Sequence, residues 1–213
     1  MEHVNIWDMC FSLAWEAFIE GSIPIGAVIV DERMNILVTG RNRIYRDAAD
    51  SLPGKISHAE MNALYKFNQS QIYPPNPRTC TLFSTMEPCS MCLGATIFSN
   101  IRTIFYAAED SYAGGIHENR LPQYIERRLS ARNTPPTHYD SIQIVLQTVY
   151  LLEKSAQSIV KKNDSLDLWS IRYPRAVELG KQFFKENILR DLANHGASFA
   201  YVKSIIISHL ERG

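Results

Sequence analysis

The sequence has no apolar run long enough to cross a membrane. A spanning helix needs roughly 18 to 20 apolar residues, and the longest run, residues 23–30, is interrupted by Pro24 and Gly26. The first five residues show no basic leader ahead of an apolar block, so a secretory signal peptide is not expected. These absences favour a cytoplasmic protein that has no membrane partner.

The chain also has no net charge and few cysteines. Lys and Arg together number 22, as do Asp and Glu, so the formal net charge is +0. This balance argues against a nucleic-acid binder that is basic throughout, although a local basic patch stays compatible with it. The chain has 4 cysteines, two of them in a Cys-x-x-Cys pattern. In a cytoplasmic protein this usage indicates metal or redox chemistry rather than a disulfide framework.

The length and composition fit a folded domain with an appendage. The chain has 213 residues, of which 46% are hydrophobic and 21% are charged, which excludes a disordered protein and allows a full core. We expect one domain over residues 1–150 and a helical extension over residues 151–213. The extension carries many large apolar residues at helical spacing, so it is expected to pack on the domain or on a second subunit.

Helical and strand patterns alternate along residues 1–150. Apolar residues recur at helical spacing in some segments, and short β-rich runs bounded by turn residues separate them. The predicted helices cover residues 5–19, 57–68, 89–98 and 121–132, and the predicted strands cover 23–30, 36–39, 79–85, 102–107 and 142–146. This order predicts a three-layer α/β/α domain built on a mixed sheet of about five strands.

Two short motifs, His58-Ala59-Glu60 and Pro88-Cys89-Ser90-Met91-Cys92, each open a predicted helix. Imidazole and thiolate are groups that bind zinc, and His58, Cys89 and Cys92 supply three of them. The two thiols are three residues apart, so they lie on one helix face. The positive end of the helix favours the thiolate form there. Three protein ligands leave one tetrahedral position for water, which is the arrangement of a catalytic zinc.

Glu60 is predicted to act as acid and base beside that zinc. At the start of a helix, Glu60 and His58 can converge on one site that lies beyond the helix end. Two thiolates cancel the charge of the metal, so a nearby base is useful for activating water. The combination H-x-E with P-C-x-x-C is the pattern of zinc deaminases, in which the Glu is not a ligand.

Each motif alone has a plainer interpretation. Ser57-His58-Ala59-Glu60 also fits a capping box, in which the Glu only stabilises the start of the helix. Cys-x-x-Cys alone fits a redox pair or half of a structural zinc site. The two motifs together, each placed between a predicted strand and a predicted helix, favour the zinc enzyme.

With these motifs the chain resembles the cytidine/deoxycytidylate deaminase superfamily over residues 3–150. It is most similar to the branch that holds tRNA adenosine deaminases, guanine deaminases and fungal cytosine deaminase. The segments that carry the resemblance are residues 24–30, Gly40-Arg41-Asn42, His58-Ala59-Glu60 and residues 85–95. The resemblance implies a cytidine-deaminase-like fold, one Zn²⁺ per chain and a homodimer.

The resemblance also implies roles for individual residues. His58, Cys89 and Cys92 match the zinc ligands, and Glu60 matches the proton shuttle. The residues expected at the substrate are Asn42 through its side chain, Ala59, Glu87 and Pro88 through the main chain, and Ile23 and Pro24 in the pocket wall.

The function expected from these residues is zinc-dependent hydrolytic deamination of a nucleobase or nucleoside, with release of ammonia. Residues 109–115 depart from the Lys-x-Gly-Ala pattern of the tRNA enzymes, and the net charge is zero. Both features favour a small purine such as guanine. A tRNA-specific adenosine deaminase and a non-catalytic zinc- or RNA-binding module on the same fold are the alternatives. The helical extension is expected to cover the pocket mouth or to extend the dimer interface.

Overall fold

The structure is a computed structural model that describes residues 6–46, 49–69, 76–116, 121–133, 135–157 and 164–212. The strands are β1 (Gly26–Val30), β2 (Ile36–Arg41), β3 (Thr81–Met86), β4 (Thr103–Ala108) and β5 (Ser130–Asn133). The helices are α1 (Ile6–Ile19), α2 (Ala59–Gln69), α3 (Ser90–Phe98), α4 (Gln123–Glu126), α5 (Tyr139–Ala156), α6 (Asp164–Arg172), α7 (Pro174–Lys185), α8 (Ile188–Asn194) and α9 (Phe199–Arg212).

The strands form one mixed sheet in the order β2-β1-β3-β4-β5. Strand β1 lies antiparallel to β2 and to β3, whereas β3, β4 and β5 run parallel to one another. The two parallel connections pass through helices, as parallel strands require. The predicted mixed sheet of five strands is therefore confirmed.

Alternating side chains of β1 divide the core into two layers. Ala27 and Ile29 join the cluster that contains residues of α2 and α3, whereas Val28 and Val30 join the cluster that contains residues of α1 and α5. Successive residues of a strand point to opposite faces of the sheet. Helices therefore cover both faces, and the predicted α/β/α arrangement is confirmed.

The C-terminal helices belong to the same core as α1. Trp169, Phe183, Phe199 and Ile206 are buried in the cluster that contains Phe11. The rings of Phe11 and Phe199 are stacked, with centroids 5.6 Å apart. The helical extension is thus present and packs against α1 and α5, and α5 runs through residue 150. The division into residues 1–150 and 151–213 stays a prediction.

Two predicted elements are wrong. Residues 121–132 were expected to form one helix, but they contain only the short α4 and the start of β5. Residues 142–146 were expected to form a strand, but they lie inside α5. The run Ile142-Gln143-Ile144-Val145-Leu146 is buried on every side. A short, fully buried apolar run has no polar face, so its periodicity does not separate a helix from a strand.

Membrane-spanning helices are absent from the described ranges, because no helix there combines the required length with sufficient apolar character. Helix α5 has 18 residues but includes Asp140, Glu153 and Lys154.

Candidate active site

The start of α2 is anchored to β2, which fixes the position of His58. The Asn62 amide nitrogen donates a hydrogen bond of 2.8 Å to the Arg41 carbonyl oxygen. Gly40 permits the close approach, because a Cβ atom at that residue would lie 2.2 Å from the carbonyl oxygen of Ala59. The first residues of α2 are therefore held directly against the end of β2.

Helix α3 presents both cysteines from its first turn. Cys89 is the N-cap residue and Cys92 is the third residue of the helix. Cys89 also pairs with Gly114 through an isolated β-bridge, and the Gly115 N–H donates to the Pro88 carbonyl oxygen at 2.9 Å. The loop that follows β4 thus holds the start of α3 in place.

His58, Cys89 and Cys92 form a group that can hold a metal ion. The Sγ atoms are 3.6 Å apart, and Nδ1 of His58 lies 3.7 Å from Sγ of Cys89 and 3.6 Å from Sγ of Cys92. For a tetrahedral zinc with bonds of about 2.3 Å to sulfur and about 2.0 Å to nitrogen, both kinds of separation come to roughly 3.5–3.8 Å. The donor types and their spacing therefore fit zinc.

The plainer interpretation of Cys-x-x-Cys as half of a structural site finds no support in the described ranges. All ligand atoms of the group lie within 4.8 Å of one another, and its members are His58, Cys89 and Cys92 only. A structural zinc takes four protein ligands, whereas a catalytic zinc takes three and keeps an open position. The group has the composition of the catalytic kind.

The electrostatics of the two thiols favour metal binding. The hydrogen bond with Cys92 and the neighbouring His58 lower the pKa of Cys89 to about 4, although burial opposes this shift. The same hydrogen bond and burial raise the pKa of Cys92. Thiolate is the form that binds metal, so one of the two cysteines is already prepared.

Glu60 lies fully inside the protein beside this group. Burial raises the pKa of its carboxyl group, and its Oε1 atom accepts a hydrogen bond of 2.7 Å from the Ser84 hydroxyl. Ser84 belongs to β3 and is itself completely buried. Sequence reasoning did not identify Ser84, because a lone serine in a strand carries no motif.

The capping box over Ser57-His58-Ala59-Glu60 is not formed in the described structure. Helix α2 begins at Ala59, so Ser57 lies one residue ahead of the capping position. The Ser57 hydroxyl pairs instead with the amide group of Asn62. The Glu60 carboxylate accepts a hydrogen bond from Ser84 on β3 instead of serving in a capping box.

A cavity of about 180 Å³ adjoins the metal-ligating group. Of the residues expected to contact the substrate, Ile23 and Glu87 contribute to its wall, together with Glu60, His58 and Cys89. The other expected residues are not among its lining residues in the described chain, and these are Pro24, Asn42, Ala59 and Pro88. The substrate-binding roles of all six residues stay predictions.

Much of the cavity wall comes from residues that sequence reasoning missed. The loop after β4 contributes three of them, and α5 and α6 close the cavity from the C-terminal part of the chain. The missed lining residues are Ile25, Met86, Asp110, Tyr112, Ala113, Gln147, Tyr150, Leu151, Ser165 and Trp169. None of them belongs to the His58-Ala59-Glu60 motif or to the Pro88-Cys89-Ser90-Met91-Cys92 motif. For Leu151 and Trp169, the signal was the apolar character of the extension, which indicated that it packs on another part of the protein.

Glu87 holds the loop after β4 with its side chain. Its Oε2 atom accepts a hydrogen bond from the Asp110 N–H at 3.1 Å, and its Oε1 atom accepts one from the Ile116 N–H at 2.9 Å. A Cβ atom at residue 114 would lie 2.4 Å from Cδ of Glu87, so glycine is required there. The Gly114-Gly115 pair therefore lets this loop pack closely against Glu87 and the backbone of Cys89 and Ser90.

Asn42 has a buried amide with one free donor. Its Oδ1 atom accepts hydrogen bonds from the Ser22 hydroxyl at 2.7 Å and from the Ile44 N–H at 3.3 Å. Its Nδ2 atom has no hydrogen-bond partner among the described residues, although the side chain is only 1% exposed. An unpaired buried donor is costly, so a ligand is a natural partner for it.

Comparison with known proteins agrees with this geometry. Residues 1–108 match the model of the cytidine and deoxycytidylate deaminase zinc-binding region. The tRNA-specific adenosine deaminase of Haemophilus influenzae is 38% identical over 104 residues, which cover 49% of this chain and 57% of that protein. The cytosine deaminase of Candida albicans is 31% identical over 102 residues, which cover 47% of this chain and 63% of that protein.

The chain thus spans less than two thirds of the length of either relative. A solved structure of guanine deaminase from Nitrosomonas europaea superposes with a TM-score of 0.53 at 20% identity, over 68% of this chain and 82% of that chain. At this identity the likeness shows a common fold. The family match covers both motifs and half of the chain, so the chain belongs to the cytidine and deoxycytidylate deaminase zinc-binding family.

Proposed function

We propose that this chain is a zinc-dependent hydrolytic deaminase of a free nucleobase or nucleoside, with a purine such as guanine favoured. The observation that carries the proposal is the cavity of about 180 Å³ shared by Glu60, the metal-ligating group and Trp169 of α6. Pockets for drug-sized ligands occupy about 300–1,000 Å³, so a smaller flat ring suits this one. Its apolar side chains, among them Ile23, Ile25 and Met86, fit the faces of such a ring.

The proposed reaction replaces an amino group on an amidine-type ring carbon by oxygen. Zinc, when bound, supplies acidified water as the nucleophile. The carbon–oxygen bond forms, the bond to the exocyclic nitrogen breaks, and ammonia leaves. Glu60 takes one proton of the water and passes it to the ring nitrogen. It then takes the second proton, from the newly attached hydroxyl group, and passes it to the departing amine. Ser84 holds Oε1 of Glu60, so Oε2 carries the proton in this proposal.

The likeness to a tRNA-specific adenosine deaminase supports a second candidate, deamination of adenosine in a tRNA loop. An RNA substrate gains affinity from phosphate contacts and loses it steeply as salt rises. The zero net charge of this chain gives such contacts little support. A non-catalytic zinc- or RNA-binding module is the least favoured candidate, because it has no use for the buried carboxylate of Glu60.

A homodimer also stays a prediction. Phe98 is 71% exposed and stacks on Tyr124, with ring centroids 5.0 Å apart. The Arg128 guanidinium lies 3.8 Å from the centroid of the Tyr124 ring. An exposed aromatic patch of this kind is typical of surfaces that a second subunit covers.

The substrate class can be tested by measuring ammonia release from guanine, adenine, cytosine, their nucleosides and nucleotides, and a tRNA anticodon stem-loop. We expect release from a free base or nucleoside, with little change between low and physiological salt. The zinc-loaded E60Q variant is the matched control for background release. Release from the stem-loop alone, falling steeply with salt, would support the tRNA candidate and contradict the proposal.

Removing the Asn42 side chain is expected to weaken catalysis without unfolding the protein. In N42A the substrate loses one or two hydrogen bonds worth about 1 to 1.5 kcal/mol each, so kcat/KM should fall roughly tenfold or more. S22A is the matched control, because it removes one of the two hydrogen bonds that Asn42 accepts but keeps its free donor. If N42A lowers the Tm and leaves kcat/KM unchanged, Asn42 is only a turn residue.

A further inference from the structure

The wall that α6 gives to the cavity contains a buried donor without a partner. Trp169 is 3% exposed, and its indole N–H makes no hydrogen bond of ordinary geometry within the described ranges. Tryptophan N–H groups usually find a partner when they are buried. Trp169 lines the cavity that also contains Glu60 and His58, so a bound molecule can reach it.

An acceptor stands beside this donor in the same cavity. Oδ1 of Asp110 accepts the N–H groups of Tyr112 at 3.0 Å and Ala113 at 3.1 Å, and the second oxygen, Oδ2, takes no part in these two hydrogen bonds. Burial raises the pKa of Asp110, and these N–H groups together with the nearby Trp169 N–H oppose the shift. The two side chains thus present one hydrogen-bond donor and one acceptor from neighbouring positions.

The relative position of this pair is fixed by contacts outside the cavity. Arg172 at the end of α6 forms an ion pair with Glu109, the residue before Asp110. The Glu109 N–H also donates a hydrogen bond of 2.9 Å to the Tyr173 hydroxyl. Because the Glu87 carboxylate anchors the same loop, α6 is connected through residues 109 and 110 to the start of α3. A site held in this way is prepared before a substrate arrives.

We propose that Trp169 and Asp110 recognise the imidazole edge of a free purine base, with Trp169 donating to one ring nitrogen and Asp110 accepting from the other. This inference rests on the proposed function and names the substrate class of the same site. In guanine the imidazole edge lies at the far end of the molecule from the amino-bearing carbon, which must face the zinc group and Glu60. One of its nitrogens is an acceptor and the other carries a hydrogen, so the edge complements the pair.

The same pair discriminates against nucleosides. A nucleoside carries ribose on the nitrogen that bears the hydrogen in the free base. Asp110 then has no ring N–H from which to accept a hydrogen bond. A buried polar group left unpaired in this way makes a site reject the analogue strongly. The ribose would also have to occupy the space of α6, whose Ser165 and Trp169 line the cavity. The residues that select the base thus lie beyond residues 1–108, the segment that the family model matches.

The test compares kcat/KM for guanine, 7-deazaguanine, 9-methylguanine and guanosine in the wild type, W169F and D110N. The 7-deaza analogue lacks the ring acceptor, and the 9-methyl analogue lacks the ring N–H. We expect W169F to lower the ratio of kcat/KM for guanine to kcat/KM for 7-deazaguanine roughly tenfold, as for one lost hydrogen bond. D110N should lower the ratio of guanine to 9-methylguanine by a similar factor.

The Y173F variant is the matched control for a merely structural role. It removes the hydroxyl that holds the loop to α6, but Tyr173 does not line the cavity. Loosening of α6 should lower kcat/KM for all four compounds alike and leave the ratios unchanged. If W169F and D110N behave like Y173F, the pair only docks the helix and the inference is overturned. If W169F does not fold, the test rests on D110N alone, through the ratio of kcat/KM for guanine to kcat/KM for 9-methylguanine.

Binding separates this inference from the proposed function. Calorimetry measures the binding of guanine to zinc-loaded E60Q without turnover. We expect the double variant E60Q/W169F to bind guanine with a Kd roughly tenfold higher than that of E60Q. If the wild type releases no ammonia from any compound but this loss of affinity is seen, the proposed reaction fails and the recognition pair stands. Absence of guanine binding, or turnover confined to guanosine or a stem-loop, overturns the pair.

Discussion

Replacement of Glu60 by Gln is expected to stop turnover while the protein stays folded and metal-loaded. Gln keeps the size of the side chain and can still accept the hydrogen bond from Ser84, but it cannot take a proton from water. A positioned acid–base group contributes about 10² to 10⁴ in rate, and more when one group performs both steps. We therefore expect ammonia release to fall by at least about 10² to 10⁴ in E60Q.

Zinc content and Tm decide what such a loss means. Glu60 is not a member of the metal-ligating group, so E60Q should retain as much zinc as the wild type. Its Tm should not fall, since Gln removes a carboxyl group whose ionised form is penalised by burial. Turnover close to that of the wild type in a variant with full zinc content would contradict the proposed mechanism.

The variant S84A provides a graded comparison. It keeps the carboxylate of Glu60 and removes only the hydroxyl that holds Oε1 at 2.7 Å. A positioning contact of this kind is worth about 0.5–1.5 kcal/mol, or 1.5–3 kcal/mol when the acceptor is ionised. The loss in rate should therefore be clearly smaller than in E60Q. Equal losses in the two variants would mean that orientation of Glu60, rather than its proton transfer, limits the rate.

The parts of the site that could be predicted from sequence are those built from contiguous residues. His58 and Glu60 lie two residues apart, and Cys89 and Cys92 lie three apart, so each pair is brought together by one helix start. Local geometry alone determines such arrangements, and the types of the residues identify the chemistry. The structure adds the distance between the two motifs, which depends on how α2 and α3 pack on the sheet.

The remaining wall of the cavity could not be predicted, because its residues meet only through tertiary packing. Asp110 and Trp169 are 59 positions apart in the chain, as their numbers show, and neither belongs to a motif. Trp169 was visible only as one member of an apolar stripe, for which core packing is the ordinary interpretation. The main-chain role of Glu87 stays a prediction, and the hold of its carboxylate on the loop after β4 is an additional role that no motif indicated.

The fold followed the sequence pattern wherever elements have two distinct faces. Helix α2 has polar residues on one side, and its predicted range of 57–68 agrees with Ala59–Gln69 within two residues at each end. Helix α5 is buried around its whole middle section, so the residues that determine its conformation lie elsewhere in the fold. The five strands were still counted correctly because β5 replaced the mistaken strand at 142–146.

Substitution of either predicted cysteine ligand is expected to abolish stable zinc binding. Loss of a residue that merely hydrogen-bonds a metal ligand already costs about 10–100-fold in affinity, so C89S and C92S should lose more than this. Elemental analysis after dialysis should give one zinc per chain for the wild type and far less for both variants. C80S is the matched control, because Cys80 is a buried thiol outside the metal-ligating group.

A thermal readout checks that these losses arise at the site. A ligand present at about 100 times its Kd stabilises the native state by about 2.7 kcal/mol, so a chelator should lower the Tm of the wild type and of C80S. The Tm of C89S and C92S should not respond to the chelator. The two Sγ atoms lie only 3.6 Å apart, so a reductant must be present to prevent a disulfide from mimicking metal loss. Full zinc content in C89S or C92S under these conditions would remove that cysteine from the ligand set and, with it, the basis of the proposed deaminase.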